Sequence, residues 1–472
     1  MSILSFVRTH IVGHNLHITE WQYVDWLVII LSITKITIFL LLYLLTQLLH
    51  VVLVTFVDSK LVLTYRKIYV NFWDAMPICG EYKIKLFDNI FKFVVCILIP
   101  RMQDLSTVWE LFFNLTVVEQ FFQNKENVQI MFTEQSEELK LVDHNMLLTT
   151  LIMSNHRSVN DYLLIYYILH HKLISEKGKL SKMNILIEFW YDNDISKYEY
   201  LLQVNFIGWG SIYRMIQLNI MKEIIIRDEN YKISHKDIIK FFNQNGNSLA
   251  VIFPEVNILT TELSMIQGKI NQDYSPFVSR FYNVLYPRFN TLTEVMRTLK
   301  LLQNNNDKVT KRSIFYCKRL FDISDILSQK IETKFGTSEQ SSETNMLATT
   351  NNEISTHSEI IKNVVINQYI YDFTIIYYKI RHTDCGHDHN NGDMKVNRGV
   401  QLEQIVPSLL ELLYDNIKSS PDDPTIIMVD IKKHDSRNLL PMRAKKLEKW
   451  LELRWLHKEE LIKQNSENIR IR

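Results

Sequence analysis

The sequence predicts an α/β protein in which helices flank a mixed sheet, with a transmembrane helix at the N-terminus. Between residues 70 and 300, short and almost wholly apolar runs alternate with runs of helical character. Strands of that kind are buried on both faces, and helices on either side of a sheet provide that cover. The apolar content of 47% is typical of a globular chain, which excludes disorder throughout.

An almost continuous apolar run extends from about residue 26 to 57, within an N-terminal region that we place at residues 1–60. Lys35 is its only charged residue, and the charge-free stretch 36–57 would rise about 33 Å as a helix, enough to cross about 30 Å of hydrocarbon. A buried core helix is the alternative. Basic residues follow the run at Lys60, Arg66 and Lys67, whereas Arg8 alone precedes it. The positive-inside bias then places the remainder of the chain in the cytosol.

Residues 61–300 are predicted to form the main domain. Its strand-like runs lie at 146–154, 183–190, 223–227 and 249–255, and its helical runs lie at 161–174 and 237–246. A further apolar run at 90–100 is too short to span a membrane. It predicts either an interfacial or re-entrant segment or a core helix.

The chain changes character twice after residue 300. Residues 301–363 contain polar, low-complexity sequence and are predicted to form an insertion or linker. Residues 364–472 are predicted to complete the domain with a strand at 364–380, a loop at 382–399, a helical run at 401–417, a strand at 425–433 and a basic amphipathic helix at 437–464. This last helix is expected either to pack against the domain or to lie on an anionic membrane.

The segment SNHRSVNDYLL (154–164) contains the residues most suggestive of catalysis. His156 lies where a strand-like run gives way to a helical one, and a histidine there can act as a general base near neutral pH. Asp161 lies about one helical turn further on, where its carboxylate can orient the imidazole and stabilise its charged form. A capping or core histidine beside an aspartate at a helix start is the alternative interpretation.

Two other groups of residues lie on the same predicted α/β unit. Pro254 and Glu255 end an apolar strand, and Arg214 and Arg227 lie near the ends of an apolar stretch. Arginine binds phosphate through a planar fork of donors. The sequence therefore combines a candidate base, a carboxylate and a candidate phosphate ligand next to a membrane anchor.

The pattern N-H-x4-D at residues 155–161, followed by F-P-E at 253–255, resembles the motifs of the glycerolipid acyltransferases, the 1-acylglycerol-3-phosphate acyltransferase group that includes the tafazzins. Three later blocks are similar to those of its lysocardiolipin and lysophosphatidylinositol acyltransferase branch. They are YNVLYPRFNTLTEVMRTLK (282–300), IYDFTIIY (370–377) and KLEKWLELRWLHKEELI (446–462). The resemblance covers roughly residues 80–300 and 361–465.

The resemblance implies a glycerolipid acyltransferase-like fold and a transfer of an acyl chain from acyl-CoA to the hydroxyl of a lysophospholipid or related glycerolipid. His156 would deprotonate that hydroxyl, and Asp161 would orient His156. Substrate-binding roles would fall to Asn155, Arg227, Pro254, Glu255 and Arg288, with Arg214 as the substitute for Arg227. The resemblance implies no metal and no cofactor beyond acyl-CoA as co-substrate, and it implies an endoplasmic reticulum membrane with the catalytic domain on the cytosolic side.

The chain departs from the resembled pattern directly after Glu255. The family usually has Gly-Thr where this sequence has Val256 and Asn257. Because valine does not readily adopt φ > 0, we expect the acceptor pocket to differ. This departure motivates a second hypothesis, a catalytically degenerate lipid-binding or scaffold protein on the same fold, with a role in spore-wall or membrane organisation. A soluble hydrolase is a third, but the sequence offers no recognisable serine or cysteine nucleophile.

Charge and cysteine content exclude other classes. The 53 Lys+Arg residues balance 52 Asp+Glu residues, so a general nucleic-acid binder is not expected. The four cysteines form no C-x-x-C pair, which argues against a disulfide scaffold and a zinc finger. The loop residues between His382 and His389 include metal-binding types, but their Asn- and Gly-rich surroundings do not predict a fixed site.

Overall fold

One mixed sheet organises the computed structural model, which describes residues 22–58, 89–90, 93–133, 136, 148–170, 204–209, 222–226, 237–240, 242, 248–273, 280–303, 365–384, 398–418 and 423–468. The strands in these ranges are β1 (Val128–Phe132), β2 (Thr150–Ser154), β3 (Val204–Trp209), β4 (Lys222–Ile226), β5 (Leu249–Ile252), β6 (Tyr369–Asp384), β7 (Arg398–Ile405) and β8 (Thr425–Asp435). The principal helices are α1 (Tyr23–Asp58), α2 (Ile99–Phe122), α3 (Asn160–Ile168), α4 (Thr261–Asp273), α5 (289–303), α6 (Leu409–Ile417), α7 (Ser436–Leu439) and α8 (Ala444–Asn468).

The strands lie in the order β1-β8-β6-β2-β5-β3-β4, and β7 pairs with β6 beyond the end of β2. Strands β6, β2, β5, β3 and β4 run parallel, whereas β8 is antiparallel to β6 and β1 is parallel to β8. The predicted mixed sheet flanked by helices is therefore confirmed. Because β2 and β5 are parallel neighbours, their carboxyl ends meet at one edge of the sheet.

Helices cover both faces of the sheet. Successive side chains of a strand point to opposite faces, so Ile152 and Met153 belong to different cores. Helices α2, α3 and α6 pack on the face of Ile152, which we call the first face. Helices α5, α7 and α8 pack on the face of Met153, the second face. The basic C-terminal helix thus packs against the domain, through Leu447, Leu451 and Trp455.

The N-terminal helix α1 is long and apolar enough to cross a membrane. Its candidate span, Tyr23–Phe56, has a mean hydropathy of 2.5, and 6% of its most apolar window is buried. Its inner side contacts α2, where the ring of Phe39 lies 6.0 Å from that of Trp109. The amide of Gln47 donates to the hydroxyl of Ser106 at 2.5 Å. The apolar N-terminal helix is confirmed by length and composition.

Several element boundaries differ from the predictions. The predicted helical run at 401–417 is wrong at its start, because residues up to Ile405 belong to β7. Helix α6 begins only after Ser408, whose hydroxyl accepts from the Glu411 N–H while the Glu411 carboxylate accepts from the Ser408 N–H. The predicted loop at 382–399 is wrong at both ends, since β6 continues to Asp384 and β7 begins at Arg398; the residues between them lie outside the described part of the chain.

The apolar run at 90–100 leads into a long helix. A π-helical segment, Val94–Leu98, continues directly into α2, which the sequence did not predict as an element. Residues 111–118 of α2 are all buried, so this helix belongs to the core. The predicted strand at 183–190 and most of the predicted linker, 304–363, lie outside the described residues.

Candidate active site

His156 and Glu255 are neighbours at the carboxyl edge of the sheet. His156 follows β2 by two residues, and Glu255 follows β5 by three. Because β2 and β5 are paired in parallel, the two loops meet, and the backbone N–H of His156 lies 3.4 Å from Glu255 Oε2. The edge formed by the carboxyl ends of parallel strands is where open α/β sheets usually bind ligands.

The predicted pair of His156 and Asp161 is present as a buried hydrogen bond. His156 Nδ1 lies 3.0 Å from Asp161 Oδ2, in the first turn of α3. The same oxygen accepts the backbone N–H groups of Arg157 at 2.6 Å and Ser158 at 2.9 Å. These two backbone donors fix the carboxylate, so it can hold His156 in the tautomer that has its proton on Nδ1.

Tyr377 on β6 completes the environment of Asp161. Its hydroxyl donates to Asp161 Oδ1 at 2.8 Å, so both carboxylate oxygens are occupied. Burial, together with the neighbouring Asp161 carboxylate, raises the pKa of Tyr377 well above its usual value. The phenol therefore remains a proton donor, and the Asp161 carboxyl is held by hydrogen bonds from the loop after β2 and from β6.

The imidazole of His156 lies in an aromatic setting on the first face. It stacks on Phe253 with ring centroids 4.2 Å apart and meets Tyr162 edge-on at 5.2 Å. Its Nε2 is buried and has no hydrogen-bond partner among the described residues. With Nδ1 donating to Asp161, Nε2 is the nitrogen whose lone pair can accept a proton from a bound hydroxyl.

Asn155 links the site to the sheet. Its side-chain oxygen accepts from the Ile375 N–H at 2.8 Å, and its amide donates to the Ile375 carbonyl at 2.9 Å. The side-chain amide thus makes the pair of hydrogen bonds to β6 that backbone groups of β2 would make if the strand continued. Asn155 was predicted as a substrate ligand; in the structure its side-chain amide is paired with the backbone of Ile375 directly before His156.

The carboxyl of Glu255 lies between the loop that follows β2 and helix α8. Its Oε1 accepts from the indole N–H of Trp455 on α8 at 3.0 Å, and the side chain is 2% exposed. Burial raises the pKa of Glu255 to about 8, although the Trp455 hydrogen bond and the charge of Arg157 oppose that rise. The Glu255 carboxyl therefore keeps its proton at a pH at which an ordinary carboxyl has already lost it.

The turn after Pro254 keeps a conformation that favours glycine. Val256 has φ 66°, the left-handed region. Valine does not readily adopt this conformation, so the turn holds Val256 there against its preference. The Val256 N–H donates to the Phe253 carbonyl at 2.9 Å, and the Arg288 N–H donates to the Pro254 carbonyl at 2.6 Å. These two hydrogen bonds close the turn and bring Arg288 beside it.

A cavity of about 270 Å³ opens beside this turn. Its lining combines apolar side chains with amides, a phenol, a carboxyl and a guanidinium: Leu263, Ile266, Ile270, Leu285, Asn257, Gln267, Tyr286, Glu255 and Arg288. The structure thus brings together the predicted residues Glu255 and Arg288. Arg227 and Arg214 lie outside the described residues, since the description of β4 ends at Ile226.

Sequence reasoning missed several contributors to the site. Arg157 is 1% exposed and donates through Nη1 to the Asn283 carbonyl. The ammonium of Lys458 lies 2.6 Å from the Asp372 carboxylate, and both side chains are buried. Four residues of this network lie in the sequence blocks that resemble the family motifs, and those blocks could have identified them. Tyr377 and Asp372 belong to the block 370–377, and Trp455 and Lys458 belong to the block 446–462.

Comparisons with protein-family models, with curated proteins and with solved structures gave no match. The geometry of His156, Asp161 and Glu255 at the sheet edge is therefore the main basis for a functional assignment.

Proposed function

We propose that the protein is a membrane-bound acyltransferase of the glycerolipid type, which transfers an acyl chain from acyl-CoA to the hydroxyl of a lysophospholipid or related glycerolipid. The observation that carries this proposal is the buried pair of His156 and Asp161, with Nε2 of the histidine unpaired among the described residues. The resemblance of the sequence blocks to glycerolipid acyltransferases supports it, and so does the apolar helix α1. We assign the protein to the endoplasmic reticulum with its catalytic domain on the cytosolic side.

The proposed reaction is a direct acyl transfer. His156 Nε2 takes the proton of the acceptor hydroxyl as its oxygen attacks the thioester carbonyl, and a tetrahedral intermediate forms. Collapse of the intermediate breaks the carbon–sulfur bond, and the imidazolium returns its proton to the departing CoA sulfur. Asp161 stabilises the imidazolium between these two steps. The products are the acylated acceptor and free CoA, and the transfer requires neither a covalent enzyme intermediate nor a metal.

The cavity beside Glu255 suits the acceptor. Its walls of Leu263, Ile266 and Ile270 accommodate the apolar part of a lipid, and Arg288 offers a cation for its phosphate. Glu255 lines the cavity and also lies 3.4 Å from the backbone N–H of His156, so it and the preceding Pro254 are proposed to shape the acceptor site. Arg227 remains the proposed second phosphate ligand.

A non-catalytic lipid-binding or scaffold protein is the second candidate. The observation that favours it is the burial of His156, which is 1% exposed. An assay of turnover separates the candidates, because both predict lipid binding and only the first predicts release of CoA. A scaffold would also tolerate substitution of His156 without loss of its biological role.

The experiment is a CoA-release assay on microsomes that contain the full chain, its His156→Ala variant or its His457→Ala variant at matched expression. Oleoyl-CoA is offered with lysophosphatidic acid, lysophosphatidylinositol, monolysocardiolipin or glycerol 3-phosphate. Loss of a general base lowers rates by about 10²–10⁴-fold, so His156→Ala should lose turnover with the active acceptor while His457→Ala, a histidine on α8, keeps it. Equal turnover in wild type and His156→Ala would refute the assignment of the base.

A further inference from the structure

Helix α8 reaches the site from the second face of the sheet. The carboxylate of Glu459 accepts the backbone N–H groups of Asn283 and Val284, at 2.8 Å and 3.1 Å. The ammonium of Lys458 donates to the carbonyl of Phe373 on β6. The helix is therefore tied both to the central strand and to the loop that carries Arg288.

Trp455 is the residue of α8 that hydrogen-bonds to Glu255, which in turn contacts the proposed base. Its side chain is fully buried, and its indole N–H donates to Glu255 Oε1 at 3.0 Å. The other oxygen of the same carboxyl faces the backbone N–H of His156 at 3.4 Å. A continuous path of two hydrogen-bond contacts thus leads from the C-terminal helix to the backbone of His156.

We infer that Trp455 is a positioning residue for the proposed acyl transfer, because its indole fixes the carboxyl of Glu255 and that carboxyl fixes the backbone of His156. This inference rests on the proposed function. It assigns a role to the C-terminal block of the chain, about 300 residues away from the histidine in sequence.

The surroundings of Glu255 explain why a donor is needed there. The carboxyl is enclosed by the β2–α3 loop, which brings Arg157 and His156, and by α8, which brings Trp455 and Lys458. A buried carboxyl without a donor for each oxygen would rotate towards the nearest cation. The indole is held rigidly, since the Lys458 ammonium lies 4.7 Å from the centre of its ring. It can therefore define the orientation of the carboxyl.

The test compares Trp455→Phe with Trp450→Phe in the full-length protein in detergent. Phenylalanine keeps an aromatic ring and removes the N–H, and Trp450 lies on the same helix against His434 instead of the site. The first readout is amide hydrogen exchange of the peptide 154–161, which needs no turnover. We expect about tenfold faster exchange in Trp455→Phe, as for loss of a hydrogen bond to a carboxylate, and no change in Trp450→Phe.

The second readout is the pH profile of kcat/KM for CoA release. Because the Glu255 carboxyl contacts the backbone of His156, we expect its ionisation to appear as a limb of this profile. Loss of the indole donor destabilises the charged form of Glu255, so this limb should move to higher pH in Trp455→Phe. We also expect kcat/KM to fall about tenfold at neutral pH. A variant that merely destabilised the fold would lose active protein without moving the profile.

The possible results separate the inference from the proposed function. Unchanged exchange of 154–161 in Trp455→Phe overturns the inference, whatever the turnover. An unchanged pH profile with an active wild type also overturns it. A wild type that releases no CoA with any acceptor overturns the proposed function, whatever the exchange data show. Faster exchange together with a shifted profile supports the inference.

Discussion

Replacement of Val256 tests the strained turn beside the site. Val256 has φ 66° and is 6% exposed. The left-handed conformation costs an L residue about 1–2 kcal/mol, whereas glycine adopts it freely. Val256→Ala and Val256→Gly both lose the two buried methyl groups of valine, and glycine also loses the buried Cβ carbon, worth about 0.8 kcal/mol. The backbone term is therefore isolated by comparison with a buried valine whose backbone is extended. We expect glycine, relative to alanine, to be about 1–2 kcal/mol less destabilising at Val256 than at that control position.

The assay is thermal unfolding of the full chain in detergent micelles, followed by tryptophan fluorescence. Val251 supplies the matched control, because it is fully buried in β5 and its backbone is extended. At that position alanine should be the more stable replacement. If the stability difference between the alanine and glycine variants is the same at Val256 as at Val251, the turn carries no backbone strain and the reasoning is refuted.

Three further predictions concern the buried network. Tyr377→Phe removes the hydroxyl that bonds to Asp161, so CoA release should fall about tenfold, and the free energy of unfolding should fall by about 1–3 kcal/mol because a buried carboxyl oxygen loses its donor. Lys458→Met leaves the Asp372 carboxylate buried without its ammonium and should lower the free energy of unfolding by about 3–5 kcal/mol, with partial recovery when Asp372→Asn is added. Burial raises the pKa of Glu255 from 4.5 to about 8, so the folded state keeps a proton that the unfolded chain has released. Stability should therefore fall by about 1.4 kcal/mol per pH unit between those values, and Glu255→Gln should remove that dependence.

Each of these predictions has an outcome that contradicts it. Wild-type turnover in Tyr377→Phe would mean that its hydroxyl does not support Asp161. A Lys458→Met protein as stable as the wild type would mean that the ion pair gives no net stabilisation. A Glu255→Gln protein with the same pH dependence of unfolding as the wild type would place the responsible titration elsewhere. Melting curves at several pH values and the CoA assay supply all three measurements.

The sequence predicted those parts of the fold that carry a local signal. Short apolar runs identified β5 and β8, and a change from strand-like to helical sequence located His156 and Asp161 at a junction. Their hydrogen bond could be anticipated because the two residues are close in sequence. The Tyr377 and Trp455 contacts could not, because long-range pairing places those side chains at the site.

Other elements were missed for identifiable physical reasons. Helix α2 is buried on all sides along residues 111–118, so it lacks the apolar stripe by which a surface helix is recognised. Strand β7 contains Glu403 and Gln404, residues that favour helices, and its pairing with β6 overrides that preference. The pairing of the Asn155 amide with the backbone of Ile375 could not be anticipated, because nothing in the local sequence indicates it.

The contact between α1 and α2 determines how closely the domain can approach a lipid bilayer. Phe39 and Gln47 lie inside the apolar span, and both contact α2, whose residues 111–118 belong to the core. If α1 crosses a bilayer, these contacts place Ser106 and Trp109 at hydrocarbon depth. The domain would then be partly embedded in the bilayer through the contacts of α2 with α1. A lipid could in that case pass from its leaflet to the protein without entering bulk water.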